Sequence, residues 1–149
     1  MWKEDFYPTP KGLAIKLFEN CKTDIFNKNQ MILEPSAGKG DLIDAYAEVY
    51  SSHISEKMGR FQKRNSKFMM PSKDIDSYCT SHIDCVEIEP ELVGILRSKG
   101  YNVVGNDFLK FSTSTKYTFI MMNPPFSDAH KHLQKAWEIL DDGGEIACI

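Results

Sequence analysis

Short apolar segments alternate along this chain with segments of helical periodicity, and this alternation limits the possible folds more than any other feature. The strand-like segments are residues 31–34, 83–87, 101–104, 117–122 and 145–149. Strands that alternate with amphipathic helices form a parallel sheet whose helices cover both faces. We therefore predict an α/β domain with a doubly wound, mostly parallel sheet of about five strands.

Residue types at the ends of the helical segments predict where several helices begin and end. Thr9 followed by Pro10 has the pattern of an N-cap and a first helical residue. Pro90 opens a later helix, and Gly100 is suited to cap its C-terminal end. The last helix is predicted to end at the two glycines at 143–144.

The composition is typical of one globular domain, and acidic residues are in slight excess. The chain has 149 residues, of which 42% are apolar, and a net charge of −3. This balance excludes a protein that holds nucleic acid by bulk positive charge alone. The four cysteines are scattered, which argues against structural zinc and favours reduced thiols in the cytoplasm. No segment resembles a signal peptide or a membrane span, and we predict no metal site.

Residues 51–80 differ from the rest because they are polar and basic. We interpret them as an insertion that is partly helical and solvated. The insertion follows the helix after the first strand, and that helix runs away from the carboxyl ends of the strands. We therefore expect the insertion at the opposite edge of the sheet from any ligand.

Polar residues follow four of the predicted strands at the point where each strand ends. Glu34 ends the first strand, Glu87 the second, and Asn123 the fourth, while Asn106 and Asp107 follow the third. In open parallel sheets, ligands bind at the carboxyl ends of the strands, where the winding direction reverses. The sequence therefore predicts a binding site along this edge.

The segment E-P-S-A-G-K-G, residues 34–40, has the character of a glycine-bearing turn between a strand and a helix. Gly38 and Gly40 permit a sharp turn and a close ligand approach, and the next helix N-terminus directs N–H groups at the ligand. The segment lacks the G-K-[ST] of a P-loop and the G-x-G-x-x-G of dinucleotide sites. Glu87 could accept two hydrogen bonds from a ribose diol. Asp107 could accept from an exocyclic amine, with Phe108 beside it to stack on a base.

The segment Asn123-Pro124-Pro125-Phe126 ends the fourth strand abruptly, because two prolines cannot continue it. The Asn side-chain oxygen and the Pro124 carbonyl can point the same way, and two acceptors aimed at one place suit an –NH₂ group. Phe126 could cover the flat ring that carries the amine. A stiff loop without chemistry is the alternative. His130 and His132, which follow this loop, are expected at the surface.

Taken together, the motifs F-Y-P-T-P, L-E-P-S-A-G-K-G, V-E-I-E-P, N-D-F and N-P-P-F resemble those of class I S-adenosylmethionine-dependent methyltransferases. More narrowly, the set resembles the amino-methyltransferases of the N6-adenine DNA type. The resemblance covers nearly the whole chain except 51–80, and it implies a Rossmann-like sheet with strand order 3-2-1-4-5. It also implies that S-adenosyl-L-methionine is the cofactor and that the substrate is an adenine flipped out of DNA.

The resemblance further implies a role for each matching residue. Tyr7, Thr9 and Pro10 would close over the methionine end of the cofactor. Five residues of the glycine-bearing segment would line the same end, namely Glu34, Pro35, Ala37, Gly38 and Gly40. Glu87 would accept from the ribose, with Ile88 against the adenine. Asp107 would accept from the adenine amine of the cofactor, with Phe108 against its ring. The catalytic group would be Asn123, Pro124, Pro125 and Phe126.

Only about 15 residues separate Asp107 from Asn123, as in the group whose recognition domain lies C-terminal to the catalytic core. The resemblance therefore implies that 1–149 is a partial catalytic domain, and that DNA is bound through a C-terminal region absent from this sequence. Two alternatives stay open. The same loop serves methylation of RNA bases and of protein glutamine, although Phe126 in place of tyrosine favours nucleic acid. A cofactor-binding module without catalysis is the second alternative.

Overall fold

A computed structural model of the protein describes residues 8–22, 24–27, 29–62 and 82–149, with side chains of the long second helix described as far as residue 56. Tyr7 lies outside the described residues. So does the 63–80 part of the predicted insertion, whereas residues 51–62 continue the second helix.

The described residues form one five-stranded parallel sheet, and the strand order is β3-β2-β1-β4-β5. In chain order, the strands are β1 Ile32–Glu34, β2 Ile83–Val86, β3 Asn102–Gly105, β4 Tyr117–Met122 and β5 Leu140–Cys148. Ile32 lies opposite Ile83 on one side and Phe119 on the other, so β1 is the central strand. The predicted fold class and strand order are confirmed.

Within the described ranges, four helices and two short 3-10 turns lie between or before these strands. The helices are α1 Lys11–Glu19, α2 Asp41–Gln62, α3 Pro90–Ser98 and α4 Ala129–Ile139, and the 3-10 turns are Phe108–Lys110 and Phe126–Asp128. None of the helices in the described part of the chain is long and apolar enough to cross a membrane.

Alternating side chains of the central strands divide the core between the two faces of the sheet. Ile32 and Phe119 belong to one cluster with Phe18 of α1 and Tyr46 of α2. The Phe18 and Tyr46 rings meet edge to face at 5.6 Å, and the Tyr46 hydroxyl donates to the Ile25 carbonyl at 2.5 Å. The neighbouring positions on β1 and β4 belong to a second cluster that packs against α4. Helices therefore cover both faces, as a doubly wound sheet requires.

Two predicted helix ends are wrong. Pro10 has extended backbone angles (φ −61°, ψ 127°) and occupies the N-cap position itself, so Thr9 is not the N-cap. The last helix ends at Ile139 and not at the glycines, because Leu140 already pairs with Tyr117 as the start of β5. By contrast, Gly100 has the positive φ of a helix C-cap glycine (83°) and its N–H donates to Arg97, as predicted.

Candidate functional site

A cavity of about 470 Å³ opens at the carboxyl edge of the sheet. Its wall includes residues that follow β1, β2, β3 and β4, together with residues just before α1 and in the N-terminal parts of α2, α3 and α4. This volume is within the range of small-molecule and cofactor sites. The sheet therefore brings the polar strand ends together where the sequence predicts a site.

The turn between β1 and α2 is held by backbone hydrogen bonds and by two glycines with positive φ. Ala37 N–H donates to the Val86 carbonyl at 3.0 Å, which fastens the turn to β2. Gly38 (φ 58°) lies on the cavity wall, whereas Gly40 (φ 84°) lies behind it. A Cβ at Gly40 would meet the Tyr101 ring at 2.7 Å. Gly40 thus permits the close packing of the turn against Tyr101.

Glu87 is buried after β2, and both of its carboxylate oxygens accept backbone hydrogen bonds. Oε2 accepts from Gly38 N–H at 2.7 Å, and Oε1 accepts from Glu89 N–H at 2.8 Å. Each carboxylate oxygen can accept a second bond, so capacity for a diol is retained. The side chain also lines the cavity. Glu87 therefore joins the glycine turn to the end of β2 in addition to facing a ligand.

Glu34 is only 2% exposed, and its Oε2 has no hydrogen-bond partner among the described residues. It lines the cavity at the end of β1. Burial raises the pKa of its carboxyl well above the usual value. The nearby Asp41, Asp44 and Glu87 raise this pKa further, whereas Lys99 lowers it. An unpartnered buried carboxylate is costly, so this position favours protonation or a ligand that brings a hydrogen-bond donor or a positive charge.

Asp107 lines the cavity after β3, and its own neighbours hold it in place. Oδ1 accepts from Leu109 N–H at 3.1 Å, and Oδ2 pairs with the Lys110 ammonium at 3.0 Å. The hydrogen bond from Lys110 lowers the pKa of this carboxyl. Phe108 does not line the cavity: its ring is buried and lies 5.6 Å from that of His132. Leu109 is the apolar side chain that reaches the wall here.

The loop after β4 brings all four residues of the Asn-Pro-Pro-Phe motif to the cavity wall. Asn123 Nδ2 donates to Thr9 Oγ1 at 3.1 Å, so the N-terminal segment helps to orient this amide. The Pro125 carbonyl accepts from Asp128 N–H at 3.2 Å and is used within the loop, which leaves the Pro124 carbonyl as the candidate substrate acceptor. The Phe126 ring is 64% exposed. This exposure leaves the ring able to stack on an incoming flat group.

The described structure brings most of the predicted site residues together. Those on the wall are Thr9, Glu34, Pro35, Ala37, Gly38, Glu87, Ile88, Asp107, Asn123, Pro124, Pro125 and Phe126. Pro10, Gly40 and Phe108 lie away from the wall, and Tyr7 lies outside the described residues.

Sequence reasoning missed several wall residues, of which His132 is the clearest. It was expected at the surface but is buried on the inner face of α4 and lines the cavity. Its Nδ1 lies 3.1 Å from the Asp128 carbonyl. Asp41, at the start of α2, was also missed, although its place directly after the glycine turn was a usable signal.

The wall is acidic. Six carboxyl-bearing residues contribute to it, namely Glu34, Asp41, Glu87, Glu89, Asp107 and Asp128, whereas no lysine or arginine does within the described ranges. The described side chains also include no group of three or more His, Cys, Asp or Glu residues arranged to hold a metal ion. The cavity therefore favours a ligand that carries positive charge.

Comparison with known proteins finds similarity at the level of structure. No protein-family model matches the chain, and no curated protein matches it. Among solved structures, it is similar to the glycopeptide N-methyltransferase MtfA (13% identity, TM-score 0.59), with 95% of this chain and 53% of that one covered. It is also similar to the CcbJ methyltransferase from Streptomyces caelestis (16% identity, TM-score 0.57), with 98% and 51% covered.

A third similar structure is coclaurine N-methyltransferase bound to N-methylheliamine and SAH (13% identity, TM-score 0.58), with 98% of this chain and 37% of that one covered. MtfA has been solved in complexes with S-adenosylmethionine, S-adenosylhomocysteine and sinefungin. The chain spans about half the length of MtfA and of CcbJ, and 37% of the length of coclaurine N-methyltransferase. What the likeness shows is the fold: this chain has the Rossmann-like architecture of these methyltransferases.

Proposed function

We propose that this chain contains the cofactor and amine sites of an S-adenosylmethionine-dependent methyltransferase that acts on the N6 amine of adenine in DNA. The observation that carries the proposal is the shared cavity. The glycine turn, Glu87 and the Asn123–Phe126 loop all line it, so a methyl donor and an amine acceptor would meet there.

The residues present fit the proposed cofactor. Its sulfonium and ammonium groups are cationic, and the wall is acidic, with an unpartnered buried oxygen on Glu34. Glu87 keeps acceptor capacity for the ribose hydroxyls, and Ile88 is an exposed apolar side chain at the wall for the adenine. When bound, the cofactor supplies an electrophilic methyl group. The solved complexes of MtfA with S-adenosylmethionine and sinefungin support this assignment.

The loop after β4 would act on the substrate amine. An exocyclic amine is a weak nucleophile because its lone pair is delocalised into the ring. Acceptors on its two hydrogens, from Asn123 and the Pro124 carbonyl, favour a tetrahedral nitrogen and stabilise the positive charge that develops on it. Phe126 would stack on the base and hold it in line for reaction. The product cation is acidic and can lose its proton to water, so the reaction needs no strong base.

Labelled-methyl transfer tests this proposal. The full-length protein, of which this chain is predicted to be the catalytic part, would be incubated with labelled cofactor and a duplex that contains one unpaired adenine, because an unpaired base is easiest to flip. The matched substrate has purine, which lacks the exocyclic amine, at the same position. We expect label in the adenine duplex only, and an Asn123→Ala variant should abolish most of it. Equal labelling of both duplexes, or label found only in RNA or protein, would refute the DNA assignment.

A second candidate is methylation of an amine or amide on a peptide or small molecule. The acidic wall favours it, because Glu89 would repel a polyanion more than a neutral or cationic substrate, whereas the charge of Asp128 is partly offset by its ion pair with Lys131. The names of the similar N-methyltransferases support the same candidate. Transfer to a glutamine-containing peptide or to a small amine, with none to the adenine duplex, would establish this candidate in place of the first.

A further inference from the structure

We propose that Glu34 is protonated in the empty cavity and ionises when the cationic cofactor binds, so that binding releases one proton to solvent. This inference rests on the proposed cofactor of the preceding subsection. It concerns the protonation state of Glu34. The proposed methyl transfer does not require this residue to change its protonation.

Glu34 occupies a buried position at the cavity wall. Glu34 is 2% exposed and its Oε2 is buried without a partner among the described residues, while the residue is part of the wall of a cavity large enough for a ligand. In an ionised carboxylate at this place, Oε2 would lose its hydration without replacement. A protonated carboxyl avoids this penalty, whereas a bound cation removes it.

Most of the charged groups around Glu34 are acidic. Asp41 and Asp44 on α2 and Glu87 after β2 oppose its ionisation. Lys99, which follows α3, favours ionisation, but its ammonium already donates to Asp44 and to the Lys39 carbonyl, each at 2.7 Å. Cys85 on β2 lies opposite Glu34 in the ladder and adds no positive charge.

Two other carboxylates on the wall differ from Glu34 in their hydrogen-bond donors. Glu87 accepts two backbone N–H groups, and Asp107 accepts from Leu109 N–H and the Lys110 ammonium. Both carboxylates therefore have donors that stabilise the charged form. Glu34 has no such donor at Oε2, so of these three carboxyls it is the one best suited to exchange a proton for a ligand cation.

Binding of the ligand would exchange the proton of Glu34 for the positive charge of the ligand. The Glu34 carboxyl loses its proton to the buffer, the carboxylate forms, and the positive charge of the ligand takes the place of the proton. No bond in the ligand changes. Because one proton is released for each ligand bound, the association constant should rise about tenfold per pH unit while the empty site is protonated.

Titration calorimetry measures this proton directly. The full chain would be titrated with S-adenosylmethionine at neutral pH in phosphate and in Tris, whose ionisation enthalpies differ. We expect the observed enthalpy to depend on the buffer with a slope of about one released proton. Glu34→Gln, which mimics the protonated carboxyl in shape and charge, should bind with a slope near zero and an affinity that no longer depends on pH.

Asp107→Asn is the matched control. Asp107 belongs to the same wall, but its pKa is lowered, so it has no proton to release at neutral pH. Whatever this substitution does to affinity, the slope of about one proton should remain. Circular dichroism of each variant confirms that it is folded, and the pH dependence of wild-type affinity gives an independent reading if Glu34→Gln does not fold.

The outcomes separate this inference from the proposed function. Binding of S-adenosylmethionine by the wild type with no buffer dependence would overturn the inference and leave the cofactor assignment intact. A slope that persists in Glu34→Gln would also overturn it, because another group would then be the source of the proton. Absence of binding by the folded wild type would refute the cofactor assignment and, with it, this inference.

Discussion

Glu87 Oε2 accepts a hydrogen bond of 2.7 Å from the backbone N–H of Gly38, and this contact joins the end of β2 to the glycine turn that follows β1. The two residues are 49 positions apart in the sequence. The Glu87 carboxylate thus holds the glycine turn in place, and it also lines the cavity itself. Any loss of this side chain should affect the turn and the ligand together.

We expect Glu87→Ala to weaken cofactor binding by about 10- to 100-fold, because hydrogen bonds to a charged group contribute roughly 1.5–3 kcal/mol. The substitution removes the predicted ribose acceptor and also leaves Gly38 N–H without its partner. Calorimetry with S-adenosylmethionine measures the change. Glu91→Ala, an exposed position in the first turn of α3, is the control and should bind normally. Unchanged affinity in Glu87→Ala would refute the ribose assignment.

Asn123→Ala should lower the rate of methyl transfer by about 10²- to 10³-fold, the usual effect of removing one transition-state hydrogen bond. Cofactor affinity should change far less, because the amide is predicted to hold the substrate amine. Single-turnover transfer and calorimetry measure the two quantities separately. Asn20→Ala, at the exposed C-cap of α1, serves as the control. Equal losses in rate and in cofactor affinity would contradict the assigned role.

Thr9→Val tests whether the N-terminal segment orients that amide. The substitution preserves side-chain shape but removes the hydroxyl that accepts from Asn123 Nδ2 at 3.1 Å. We expect a loss in transfer rate of about five- to tenfold, corresponding to one ordinary hydrogen bond of roughly 1 kcal/mol. In an Asn123→Ala background the same substitution should have little further effect, because the two residues act as a pair. Additive losses would show that Thr9 acts independently of Asn123.

The positive-φ glycines allow a matched comparison of stability. Gly40→Ala should destabilise the fold by about 2–5 kcal/mol, since its Cβ would meet the Tyr101 ring at 2.7 Å in addition to the strain of φ 84°. Gly143→Ala has similar strain (φ 76°) but open space around the Cβ, so about 1–2 kcal/mol is expected. Denaturant unfolding measures both. A Gly143→Ala cost equal to that of Gly40→Ala would show that packing against Tyr101 is unimportant.

The sequence predicted the sheet well because each β-strand and helix carries its own local signal. The apolar run 117–122 is β4 with the predicted bounds, and Pro90 begins α3 as expected. The sequence also predicted one shared edge for the polar residues at the strand ends, because parallel strands direct their carboxyl ends the same way. These residues are Glu34, Glu87, Asp107 and Asn123. The strand order follows from the family resemblance, and the structure confirms it.

The features that could not be predicted depend on contacts between distant parts of the chain. Leu140 fits the apolar spacing of the preceding helix, but pairing with Tyr117 draws it into β5. His132 is polar and lies near a helix start, yet it is buried, with the Phe108 ring 5.6 Å from its own. Gly40 has the positive φ expected of a turn glycine, and the close approach of the Tyr101 ring to it could not be predicted from the sequence. The end of the last helix and the surface position of His132 were predicted wrongly because tertiary packing overrides a local preference at both places.

Glu34 also predicts how stability depends on pH in the absence of ligand. Burial, followed by the charges of Asp41, Asp44 and Glu87, raises the pKa of this carboxyl in the folded state. Its contribution to stability is therefore fully present below the pKa of the unfolded state. It is lost as the pH rises through the folded-state pKa, because the unfolded carboxyl ionises more readily. In the interval between the two pKa values, the loss approaches about 1.4 kcal/mol per pH unit.

Urea unfolding at a series of pH values, for the wild type and Glu34→Gln, measures this loss. The difference in unfolding free energy between the variant and the wild type should grow with pH in favour of the variant. Glu48→Gln is the control, since that carboxylate is half exposed and pairs with Lys11 at the surface, so its difference from the wild type should stay nearly constant. Parallel pH profiles for the wild type and Glu34→Gln would mean that Glu34 is ionised in the folded protein, and the buried carboxyl would then have a cationic or hydrogen-bonding partner in solution.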